Sequence, residues 1–361
     1  MKVPMRTEHG FPRVSIIILN WNGWKDTIEC LESLYRITYS NYDVIVVDNG
    51  SKDDSVQKIK EYAEGKIKVN SKFFDYNPNN KPIKVFEVSE DDARRGKFNR
   101  PLYEKFDVDR RMILIKNKDN YGFTGGNNIG IKFALSVLNP EYVLLLNNDT
   151  VVDRNFLRNL LEDMPKKKNR IGIVSPKVLK YHNPSIIDST GHIFNGIMII
   201  DRGKNEIDVG QYDNKNLVLG AIAAAALYKK DMILQIGLFD ETFETNYEDA
   251  EYSWRANKFG WLGIYIPTSV VYHKRGATIN KTTETVLKIS KNYWRNSIIA
   301  IFRYAPVFSK IVIILPRSFI LIRAFLMSLL TGNSTSLDAI LQSLYETVSR
   351  LKYDYRRVKY L

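Results

Sequence analysis

The residues best placed for chemistry are acids standing where apolar runs stop. VIVV, residues 44–47, ends in Asp48-Asn49-Gly50, and YVLLL, residues 142–146, ends in Asn147-Asn148-Asp149. A third acidic pair, Glu248-Asp249, opens the helical pattern NYEDAEYSWRANKFG. One or two carboxylates together with phosphate oxygens are the usual way a protein holds Mg²⁺. An acid closing a strand can also merely cap the following helix, and acids in a first turn can merely complement the helix dipole. Both readings stay open for Asp149 and for Glu248-Asp249. Other chemistries are excluded more firmly. The first strand-to-helix turn is Asn20-Trp21-Asn22-Gly23 rather than GxGxxG, and neither GxxxxGK[ST] nor GxSxG occurs.

The elements that must position these acids alternate between strand and helix. VSIIIL, residues 14–19, VIVV, MILIK, residues 112–116, and YVLLL are short runs, apolar throughout, separated by helical patterns. Such runs imply a mainly parallel sheet covered on both faces, with ligands bound beyond the carboxyl ends of its strands. Ser51 with Asp54 three residues later predicts a capping box for the second helix. The glycines of GFTGGNNIG predict a loop leading into a helix over IKFALSVL. Residues 65–111 read as a polar insertion, with Ile83, Val85, Phe86 and Val88 as an edge strand. Shorter strands and turns follow from Ile171 to Ala226. Gly260 stops the helix carrying Glu248-Asp249, and GIYIP and VVYH are expected as strands.

Of the net charge of +13, nine units lie between Gly276 and Leu361, where 13 Lys and Arg stand against 4 Asp and Glu. There the basic residues flank a slab of aliphatics, IVIILPRSFILIRAFLMSLL, residues 311–330. Nucleic-acid grooves set basic groups among polar and aromatic neighbours, so an anionic lipid surface is the expected partner and nucleic acid is not. Pro316, Arg317 and Arg323 interrupt the slab, which favours an element lying in the membrane interface over one that spans it. Arg303, Lys310 and Arg317 recur at heptad spacing and would share one side of a continuous helix. A helical hairpin packed on the preceding domain is the alternative. The single cysteine, Cys30, excludes an internal disulfide and a thiolate zinc cluster and falls on the apolar side of a helix. MKVPMRTEHGFPR carries no apolar stretch, so a cytoplasmic protein at the inner face of the cell membrane is expected.

VSIIILNWNGW, VIVVDNGSKDDS, NKDNYGFTGGNNIGI, YVLLLNNDTVV and GLFDETFETNYEDAEYSWRANKFGW, taken in this order, resemble the successive signatures of family 2 inverting glycosyltransferases. The rhamnosyltransferase-like enzymes of cell-surface glycan assembly are the most similar branch. The resemblance covers residues 14–277 apart from the 65–111 insertion. It implies an α/β GT-A fold, Rossmann-like with a mainly parallel sheet, over residues 1–277, followed by a basic, apolar helical region over 278–361. It also implies a UDP-, dTDP- or GDP-sugar donor, a divalent Mg²⁺ or Mn²⁺, and a glycan or lipid-phosphate-linked acceptor.

Position by position, Asp48 matches the residue that reads a pyrimidine base, and Leu19, Asn20 and Asn22 match the loop beneath the nucleotide. Gly125, Gly126 and Asn127 match the turn beside nucleotide and sugar. Asn147-Asn148-Asp149 stands where the family has its DxD-type metal motif, although only Asp149 is acidic here. Asn148 is thereby assigned to the nucleotide sugar and Asp149 to the metal. His273 matches a histidine that approaches the metal or diphosphate in some members; as a polar residue ending a strand it has an equally simple explanation. Asp249 matches the general base, with Glu248 beside it. A nucleotidyltransferase would share the sheet but carry a basic glycine-rich loop after the first strand, and a non-catalytic scaffold would have lost the acids.

Overall fold

The computed structural model describes residues 11–165, 170–275 and 283–311. Its elements in chain order begin with β1 (Val14–Asn20), α1 (Trp24–Leu34), β2 (Tyr42–Asp48), α2 (Ser55–Ala63), β3 (Lys84–Ser89), α3 (Glu90–Arg94), α4 (Arg100–Tyr103) and β4 (Arg111–Lys116). Next come α5 (Gly122–Phe133), β5 (Tyr142–Leu146), β6 (Thr150–Val152), α6 (Phe156–Glu162), β7 (Ile171–Lys180), β8 (Ile187–Ser189), β9 (His192–Phe194) and β10 (Ile199–Asp201). The last are β11 (Leu217–Val218), β12 (Ala225–Lys229), α7 (Lys230–Ile236), α8 (Glu248–Lys258), β13 (Leu262–His273) and α9 (Thr283–Tyr304).

One sheet runs β11-β13-β7-β12-β5-β1-β2-β4-β3, with β6 beside β13 and β8 beside β7. Neighbours from β5 to β3 are all parallel, whereas β12 enters antiparallel between β5 and β7. Alternate residues of β1 feed two different cores: Val14, Ile16 and Ile18 pack with α1, α2 and α6, while Ile17 packs with α5, α7 and α8. This two-sided burial is why the strands read as unbroken apolar runs. The expected edge strand exists as β3, parallel to β4, and the 65–111 insertion also supplies Ala93 and Tyr103 to the core from α3 and α4.

Three local expectations are corrected. No capping box forms at Ser51, because its hydroxyl donates to Asp48 Oδ1 at 2.6 Å; α2 instead starts after Asp54, with Asp53 accepting from the Ser55 amide. The glycines of GFTGGNNIG are not a loop but the first turns of α5. A Cβ on Gly126 would sit 2.5 Å from Leu19 Cδ1, and one on Gly130 would sit 2.8 Å from Ile17 Cγ2. Glycine is needed there so that the helix can lie directly on β1, which outweighs its poor helix propensity. Arg303 does not share a lipid-facing side. It is turned into the domain, where Nη1 meets Asp240 at 2.8 Å and Glu251 at 3.7 Å.

α9 lies beyond the boundary expected at residue 277, yet it packs on α8. Ile299, Ala300, Ile301 and Ala305 form a third core with Phe243, Tyr247, Ala250 and Trp254. The slab over 311–330 lies outside the described residues except for Ile311, which is exposed. No described helix is long and apolar enough to cross a membrane.

Candidate active site

A cleft of about 1650 Å³ opens beyond the carboxyl ends of β1, β2 and β5. One wall starts from the end of β1. Asn20 is buried, donates through Nδ2 to Asp48 Oδ1 at 2.7 Å and accepts from Thr27 at 2.8 Å. The Ser51 amide and hydroxyl fill the rest of the Asp48 carboxylate. Asn22, in the left-handed region at φ 50°, accepts from the Lys52 amide through its side chain. Leu19, Asn22, Asn49 and Asn148 line the cleft, while Asn20, Asp48, Gly125, Gly126 and Asn127 form the layer beneath it.

The turn after β5 fixes Asp149 through its backbone. The Asn147 amide donates to Ala224, Thr150 donates back to the Asn147 carbonyl, and the Lys274 amide donates to the Asp149 carbonyl. Asn148 reaches Thr27 Oγ1 at 3.1 Å. The helix-cap reading of Asp149 is thereby removed: strand β6 follows it, and α6 begins only after Asn155. His273, last in β13 and paired with Thr150, directs Nε2 to Asp149 Oδ1 at 3.3 Å, and its Nδ1 lies 2.8 Å from Asp188 Oδ2. Burial works to lower the His273 pKa, but Asp149 and Asp188 outweigh it and push the imidazole up to about 9. Among the described residues no cluster of three His, Cys, Asp or Glu side chains stands ready for a metal. Asp149 and His273 still fit as two protein ligands. A carboxylate and an imidazole suit a divalent ion that takes its other ligands from phosphate and water, and Asp188 supplies the oriented outer partner that a ligating histidine needs.

Across the cleft, α8 begins at Glu248 after a strained approach. Glu244, Asn246 and Tyr247 have φ of 57°, 67° and 73°, all left-handed and none glycine. Such conformations persist only where the surroundings over-determine them. Asn296 of α9 provides that restraint, donating through one amide to the carbonyls of Phe243, Thr245 and Asn246 at 2.8, 3.2 and 2.7 Å. Asp249 accepts from the Ala223 amide at 3.0 Å and from its neighbour's amide at 2.8 Å while facing the cleft. Glu248 is buried with Oε2 unpartnered. Burial, with Asp249 alongside, holds its carboxyl well above the usual carboxylate range. A carboxyl held protonated in this way can act as a hydrogen-bond donor beside Asp249.

The structure adds groups that spacing did not reveal. Arg275 joins Asp188 at 2.7 Å to Asp201 at 3.2 Å, and His192 stands between Asp201 and Asp249. The one available signal was the buried polar run IDSTGH inside an otherwise apolar sheet. Asn292 and Tyr293 of α9 also reach the cleft, from a tail where no motif pointed to them.

A parallel half continued by a mixed half, with a cleft beyond the strand ends, defines the GT-A class. The sequence profile of glycosyl transferase family 2 matches residues 15–80. The chain is 29% identical over 147 residues to the low-salt glycan biosynthesis hexosyltransferase Agl10 of Haloferax volcanii, a match covering 40% of this chain and 46% of that one. It is 26% identical over 154 residues to the glycosyltransferase GlyG of Streptococcus pneumoniae serotype 4, covering 43% and 36% respectively. The chain thus spans less than half the length of either curated relative. Among solved structures, the mannosyltransferase PcManGT from Pyrobaculum calidifontis, in complex with GDP-Man and Mn²⁺, shares the fold at a TM-score of 0.50 and 16% identity, over 94% of this chain and 75% of that one. The solved-structure likeness shows the GT-A fold, and residues 15–80 carry the glycosyl transferase family 2 profile within it.

Proposed function

We propose that the protein is an inverting, metal-assisted glycosyltransferase moving a sugar from a nucleotide-sugar donor to a glycan or lipid-phosphate-linked acceptor. One observation carries this reading: Asp149 with His273, and Asp249 with Glu248, line a single cleft. The cleft exceeds the roughly 300–1,000 Å³ of an ordinary small-molecule site, which leaves room for donor and acceptor together.

In this reading the layer of Asn20, Asp48 and Ser51 supports the base, and the α5 glycines let the nucleotide loop sit low on the sheet. Asp149 and His273 would hold a divalent ion, which when bound neutralises charge on the departing diphosphate. Asp249 takes the proton of the acceptor hydroxyl as the new bond forms on the opposite face of the sugar. Its two backbone N–H partners fix the carboxylate for that task. We assign the sugar to the rhamnosyl-like branch on the motifs alone. The basic tail beyond α9 supports a peripheral site at the inner membrane face.

Incubating the full chain with UDP-, GDP- and dTDP-hexoses, with and without Mn²⁺, tests the proposal. Metal-dependent release of one nucleoside diphosphate is expected. Binding of donors with no release from any of them would instead identify a scaffold.

A further inference from the structure

His192 has no part in the chemistry described so far, yet it touches the group assigned as the base. It opens β9, and Asp201 is its direct cross-strand partner in the β9–β10 hairpin. The backbone is fixed on both sides: the His192 amide donates to the Gly220 carbonyl at 2.8 Å, and its carbonyl accepts from Leu219 at 2.7 Å. The side chain is also fixed. The Ser253 hydroxyl donates to the Asp249 carbonyl at 2.7 Å, so its proton is committed and its lone pair accepts from His192 Nδ1 at 3.2 Å. Nδ1 is therefore the N–H end of the ring. Nε2 then faces two carboxylate oxygens, Asp201 Oδ1 at 3.4 Å and Asp249 Oδ2 at 3.9 Å.

A lone pair aimed at two anions would be repelled, whereas an N–H there is attracted to both. We propose that His192, oriented by Ser253 and Asp201, is a positioning residue that sets an N–H edge against the Asp249 carboxylate and keeps it aimed into the cleft. This rests on the reading of Asp249 as the base. The charged surroundings agree with it. Burial works to lower the His192 pKa, but Asp249 and Asp201 outweigh it and raise the ring. Asp201, which burial works to raise, is lowered by His192, Arg275 and Lys204. The groups facing this pair are Asp201 from β10, Arg275 after β13, and Ser253 and Glu248 from α8, with buried Tyr228 of β12 behind Asp249.

Two measurements on the full chain test this. In the first, the His192 ring is titrated by ¹⁵N NMR in the parent and in Asp249→Asn. Coupling requires the His192 pKa to fall by about one unit when the Asp249 charge is removed. In the second, His192→Gln is assayed across pH with Mn²⁺ and the fastest of the UDP-, GDP- and dTDP-hexoses, using water as acceptor and nucleoside diphosphate release as readout. The acidic limb of kcat is expected to move up by about one pH unit, giving roughly ten-fold loss below the parent limb, while donor KM changes less than two-fold. A merely structural histidine would alter the melting temperature and KM but leave the limb in place. An unmoved His192 titration, or an unmoved limb, overturns the inference. Asp249→Asn with undiminished turnover overturns the base assignment instead, and that result is read separately from the NMR coupling.

Discussion

Replacing Asn296 by Ala removes the α9 side chain that hydrogen-bonds the backbone of the loop ahead of Asp249. The Asn296 amide group serves three buried carbonyls, those of Phe243, Thr245 and Asn246. Its two N–H groups supply two full hydrogen bonds shared among them. Losing two neutral bonds costs about 2 kcal/mol, and the acceptors stranded in a buried place bring the total to roughly 2–3 kcal/mol. For a domain this large that corresponds to a fall in Tm of about 5 °C. The functional effect should exceed the loss of stability. Glu244, Asn246 and Tyr247 are held in left-handed conformations, and once released they carry Glu248 and Asp249 out of register with the donor. A displacement of about 1 Å is worth on the order of 10²-fold in rate. Thermal melts, donor titration calorimetry and nucleoside diphosphate release on the same preparation separate the terms. Donor affinity should fall far less than turnover. A variant with parental Tm and parental turnover would refute the claim that α9 positions the base.

Asp149→Ala should abolish turnover and the Mn²⁺-dependent part of UDP, GDP or dTDP affinity while leaving the fold intact; unchanged metal-dependent affinity in calorimetry removes Asp149 from the site. Glu248→Gln should stabilise the protein increasingly as pH rises. The folded-state pKa of Glu248 is raised above its unfolded value, so the folded protein binds the extra proton and loses stability as pH climbs through that value. The Tm advantage of the variant should be largest near pH 8 and vanish near pH 4, and a pH-independent difference would contradict this. The full chain should sediment with anionic vesicles at low salt and be released at high salt, with truncation after Ile311 abolishing binding; a supernatant-only result favours a packed tail.

The sheet was legible because its strands are buried on both faces and therefore apolar throughout, which also marked Asp48 and Asp149 as strand-end residues. Glycine chemistry was less legible. GFTGGNNIG carries a loop-like composition, and only the closeness of Leu19 and Ile17 explains why those glycines are helical. Ser51 failed as a cap because a stronger acceptor, the Asp48 carboxylate, lay within reach across the turn. His192, Asp188, Asp201 and Arg275 were illegible for a further reason. They meet through a hairpin and the far end of β13, contacts that no local periodicity encodes. Arg303 showed the opposite error, since heptad spacing identified a side of the helix but not whether lipid or Asp240 lay opposite.

The central claim is that two acidic groups in one cleft divide leaving-group departure from proton removal, and Asp249→Asn tests it most directly. Donor affinity and its Mn²⁺ dependence should match the parent, while transfer to the acceptor falls by roughly 10²–10⁴-fold, the usual worth of a general base. Transfer at near-parental rate in that variant would contradict the account.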